Sequence, residues 1–153
     1  MALAPDADKN FLQLAVADWG SGMELFALTN ALQLGSSPLS NNRLNEHGYG
    51  LNNALACLSG GTGDWCIYTR DAPGPYFQVH GPFDLEMTVK TTDTIDLPES
   101  LNLQWSEPST VVYVRVPMTI ARTLQRQGNR KLSDLATFGC GLSNIWGRLS
   151  GIP

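Results

Sequence analysis

Cys66 and His80 have the residue types and the spacing of a nucleophile and its base. They flank a Pro/Gly run, Asp71-Ala-Pro-Gly-Pro75. In a hairpin centred on residue 73, partner numbers sum to 146, and these two satisfy the sum. Opposed residues in an antiparallel pair have Cβ atoms about 4.5–5.5 Å apart. That is close enough for a thiolate–imidazolium pair. The chemistry implied is a small cysteine-dependent enzyme, with Asp64 or Asp84 orienting His80. The plainer description is a small buried hydrophobe opposite a polar residue at a strand end.

Other constellations lead to less chemistry. Asp84 and Glu86 stand two residues apart and alternate with Leu85 and Met87. Two carboxylates on one strand face can act as an acid/base pair, but that alternation fits a solvated sheet face better. As such a face it supports one further role, a soluble inhibitor that grips a partner through these acids. Ser59-Gly-Gly-Thr-Gly-Asp64 is glycine-rich, but a phosphate loop runs from strand into helix and ends in Gly-Lys-Ser/Thr. Here the order reads helix into strand, and the lysine is missing. His47 and His80 are the only histidines, and Cys57, Cys66 and Cys140 are dispersed, so neither a metal nor a cofactor is expected.

Charge is unevenly distributed. Asp84 to Glu107 carries six acids against Lys90, whereas Arg115, Arg122, Arg126, Arg130 and Lys131 follow with no acid among them. On a helix beginning near residue 118, Arg122 and Arg126 share a face one turn apart. Basic residues near a helix C-terminus also complement its dipole. The functional reading is docking onto acidic neighbours, including copies of the same chain. Nucleic-acid phosphate is the lesser alternative, since no aromatics interleave for base stacking. Trp146 is a candidate anchor for a protein partner.

The elements that must position these residues follow from pattern and punctuation. Residues 1–7 read as an arm. Asp8 starts a helix carrying Phe11, Leu12, Leu14, Ala15 and Val16. A second helix covers Met23 to Leu32 and ends at Gly35. Residues 35–50 are loop, and a short helix spans about 51–58. Strands are expected at 65–70, 76–80, 83–91 and 110–116, with a shorter one at 95–97 or 101–105. The β-branched run at 110–116 suits a central strand. Pro117 opens a helix over 118–127 that Gly128 terminates, with another turn or two at 130–138. Residues 140–153 form an irregular tail. The fold class is α+β: N-terminal helices, a mainly antiparallel central sheet and a C-terminal helix, in one domain over 1–153.

The chain has 153 residues, a net charge of −4 and only 16% charged residues, against roughly 25% in typical domains. Such a neutral surface is compatible with burial in a permanent interface, and the small net charge gives no general attraction to nucleic acid or anionic membrane. With no apolar run of about 18 residues, no leader and an odd cysteine count, a cytoplasmic location is expected. The expected role is a non-catalytic structural or interaction protein, a subunit of an assembly such as a viral or phage particle.

Overall fold

The computed structural model describes residues 1–32, 50–62, 64–81, 88–101 and 104–135. It divides into two compact units, Met1–Pro117 and Met118–Pro153.

The first unit is built on six antiparallel strands: β1 (Ala2–Pro5), β2 (Phe11–Asp18), β3 (Trp65–Thr69), β4 (Tyr76–His80), β5 (Val89–Thr92) and β6 (Thr110–Pro117). Their spatial order is β1-β2-β6-β3-β4-β5. The mixed α+β class and the antiparallel sheet match the sequence-based expectation, as does the central place of β6. Two helices lie between β2 and β3: α1 (Leu25–Leu32) and α2 (Gly50–Ser59).

The N-terminus differs from expectation. The arm and first helix are in fact a hairpin, β1 and β2, with Leu3 opposite Leu14. The Asp6 carboxylate organises its turn, accepting the N–H groups of Asn10 and Phe11 at 2.9 and 3.1 Å. Asp8 therefore caps no helix. Phe11-Leu-Gln-Leu-Ala-Val16 satisfies both periods because β2 is apolar toward both faces, and its long pairing with β6 decides for strand.

Each sheet face has its own cover. One carries Ala15, Cys66, Tyr68, Tyr76, Val111 and Tyr113, roofed by Ile95, Leu97, Leu101 and Trp105. Where a strand was expected at 95–97 or 101–105, the described residues 95–101 form a covering strap with one 3-10 turn at Glu99–Leu101, and residues 102–103 lie outside the described residues. The other face carries Leu12, Ile67, Val79, Val114 and Val116, all buried. There Thr69 Oγ1 accepts the Met23 N–H at 3.0 Å just before α1, and α2 packs beside β6. Covered on both sides, every residue of β3 is buried. Burying such side chains contributes roughly 1.5–3 kcal/mol each.

Helix α2 ends in a Schellman motif: the Gly61 N–H reaches Ala56 O and the Gly60 N–H reaches Cys57 O. Of the expected 83–91 strand, residues 89–91 lie in β5, while 82–87, with Asp84 and Glu86, fall outside the described residues. So do Gly35, Cys140 and Trp146.

The second unit contains α3 (Met118–Leu135). Gly128 does not end it. An isolated glycine costs a helix about 1 kcal/mol, too little to stop a helix with good formers on either side. Among the described residues, no helix is long and apolar enough to cross a membrane.

Candidate functional site

The hairpin register places Cys66 directly opposite His80. The Cys66 Sγ lies 3.9 Å from His80 Nε2 and 3.8 Å from Gln78 Nε2. Gln78 also donates to the Tyr68 hydroxyl at 2.9 Å, and that hydroxyl donates to the Asp96 carbonyl at 2.8 Å. The strap therefore packs over Cys66 and Tyr68 and holds the Tyr68 hydroxyl, while His80 is exposed.

Proximity does not arm the thiol. Burial pushes the Cys66 pKa up to about 11, against small opposing contributions from Tyr68 and Gln78. At neutral pH the thiolate fraction is then about one in ten thousand. Tyr68 is pushed up to about 12, again chiefly by burial. A cysteine nucleophile needs an electropositive, partly exposed setting, whereas Cys66 is 4% exposed. Asp64, one expected orienting group for His80, binds Arg115 instead. The geometry is that of a partly buried polar cluster tying strap to sheet, with His80 at its exposed edge. Among the described residues, no group of His, Cys, Asp and Glu could hold a metal ion.

The arginines fall into different settings. Arg115, on β6, donates to Asp64 at 2.6 Å and to Asp6 at 3.3 Å. Its guanidinium lies 4.1 Å from the centre of the Phe11 ring. It clamps β6 to the start of β3 and to the β1–β2 turn, so it is not part of an outward basic stretch. Arg122 and Arg126 are exposed on α3. Arg130 and Lys131 occupy backbone positions of the same helix, and their side chains lie outside the described residues.

Sequence reasoning missed a corner at the opposite end of β3. There the 18–22, 70–75 and 106–109 loops converge. The Arg70 guanidinium stacks 4.4 Å from the Tyr76 ring centre and donates to Gly74 O at 3.1 Å. Its other terminal nitrogen makes a long contact of 3.4 Å to Glu107. The loops are cross-tied. Arg70 N–H reaches Ser109 O, Ser109 N–H reaches Asp18 O, and the Ser109 hydroxyl donates to Gly20 O at 2.6 Å. Tyr76 donates its hydroxyl to Pro108 O and Trp19 its indole N–H to Ser106 O, both at 2.8 Å. Gly22, at φ 66°, is required here: a Cβ would stand 1.8 Å from the Arg70 carbonyl oxygen. The available sequence signal was an arginine at a strand end followed by a Pro/Gly turn, which marks a turn and names no partner.

No protein-family model, no curated protein and no solved structure matches this chain.

Proposed function

We propose that the protein is a non-catalytic structural or interaction protein, a subunit of a larger assembly of the kind that forms a viral or phage particle. It would act in the cytoplasm or in a particle built there, with protein partners that include copies of itself.

The observation that carries this reading is α3. Arg122 and Arg126 are exposed one turn apart, and among the described residues neither makes an ion pair. Ile120, Ala121 and Leu124 are half-buried, giving the helix a polar and a less polar side. Charges left unpaired on one helix face steer and register a protein partner. Large apolar side chains on the surface point the same way, with Trp19 at 57% and Phe26 at 71% exposure. The protonated, enclosed Cys66 gives no comparable support to a catalytic reading.

Absolute mass by light scattering at low and high salt tests the proposal. The expected result is a species well above 16.6 kDa that loses mass at high salt and does not form when Arg122 and Arg126 are both changed to Glu. A monomer at every salt concentration, identical in the double variant, would sink it.

A further inference from the structure

We infer that the arginine face of α3 docks on the strap of a second copy, at the carboxylates of Asp93, Asp96 and Glu99. The inference rests on the assembly reading above and names the surface that receives α3.

The strap presents acid outward from a fixed backbone. Its apolar side chains, Ile95, Leu97 and Leu101, pack down on the sheet. The Asp96 carbonyl accepts the Tyr68 hydroxyl at 2.8 Å. Asp93, Asp96 and Glu99 alternate with these anchors and are exposed. A segment anchored in this way loses little freedom when its side chains meet a partner. No lysine, arginine or histidine occurs between Lys90 and Arg115. Among the described residues none of the three carboxylates makes an ion pair. Glu107, in the same acidic stretch, is already engaged by Arg70, and Asp84 and Glu86 lie outside the described residues. Of the acidic stretch, the strap is therefore the part shown to carry several exposed, unpaired acids.

Helix α3 offers the complement. Arg122 and Arg126 are exposed and, among the described residues, equally unpaired. Arg130 follows four positions along the same helix. Three bases over about 12 Å of helix meet three acids over at most about 21 Å of chain, lengths that arginine side chains can match. Neither surface suits its own kind. Contact of α3 with α3 sets arginine against arginine, and strap on strap sets acid against acid. Only the cross pairing is attractive, and each chain carries both halves of it, so contact can pass from copy to copy.

Complementation between two variants at low salt, read by light scattering, tests the docking. Asp93→Lys with Asp96→Lys and Glu99→Lys reverses the strap, and Arg122→Glu with Arg126→Glu reverses α3. Each variant alone should have the mass of one chain, 16.6 kDa. An equimolar mixture should recover the mass of the native assembly, because native α3 meets native strap and the two reversed surfaces meet each other. The milder Asp93→Asn, Asp96→Asn and Glu99→Gln variant should raise the concentration for half-assembly about tenfold. Native-like assembly of this milder variant, with α3 reversal still abolishing assembly, would overturn the strap as the docking site and leave the assembly reading standing. A mixture that stays monomeric, with both variants giving native circular dichroism, would overturn it as well. A native chain that is monomeric at low salt removes the reading and the inference together.

Discussion

Arg115 and Arg70 sit at opposite ends of the β3–β6 pair, and both stack on an aromatic ring, Phe11 in one case and Tyr76 in the other. There the likeness stops. Arg115 has two carboxylates, the nearer at 2.6 Å, and both belong to segments that β6 must hold. Arg70 has one, long and almost fully exposed. The same residue type on the same sheet closes one end and leaves the other open. Carboxylates decide the difference: where they come from ordered turns, the arginine is a structural rivet; where the carboxylate comes from an exposed loop, the pairing is long and weak.

The comparison can be broken most severely at Gly22. Gly22→Ala drives a methyl into the Arg70 carbonyl and should cost about 3 kcal/mol or more in urea unfolding. A smaller loss would show that the open corner is not braced by this close approach. Next in size is Arg115→Ala, expected to lower stability by about 2 kcal/mol because two charge-assisted bonds and the ring contact go together. Arg70→Ala should cost about 1 kcal/mol, and equal losses at the two arginines would erase the distinction between the ends.

A smaller effect concerns acid. The Asp6 carboxyl is held below its ordinary value, first by the Phe11 N–H and then by Arg115 and the Asn10 N–H acting against burial. A depressed folded-state pKa gives a contribution that is complete above the unfolded value of about 3.9 and is lost as pH falls toward the folded value. The unfolding midpoint of the native chain should therefore fall more steeply than that of Asp6→Asn as pH drops from about 5 to 2; parallel curves would refute the assignment. Smallest of all, Glu107→Gln should change stability by no more than about 0.5 kcal/mol, as an exposed, long ion pair requires.

What was legible in the sequence was local. The Cys66–His80 register followed from a symmetric turn, and β3, β4 and β6 from runs of β-formers, because each is defined within about fifteen residues of chain. The Arg115 clamp was not legible, since Asp6, Phe11, Asp64 and Arg115 meet only once β2 and β3 have both paired with β6. The same non-local pairing turned the expected first helix into β2. Arg70 escaped notice for a similar reason: Glu107 lies 37 residues away. The raised pKa of Cys66 was hidden too, because the burial that causes it comes from Ile95, Leu97 and Leu101, far along the chain.

The place of β6 between β2 and β3 sets a timetable for the chain's birth. On the ribosome the β1–β2 hairpin is made well before its partner strand β6, which ends at Pro117. Until then β2 and β3 each present an unpaired edge, and the hairpin has no sheet to join. Closing those long loops before any reward makes the last strand the slow, committing step of folding. For that interval its two waiting edges are open to pairing with other chains.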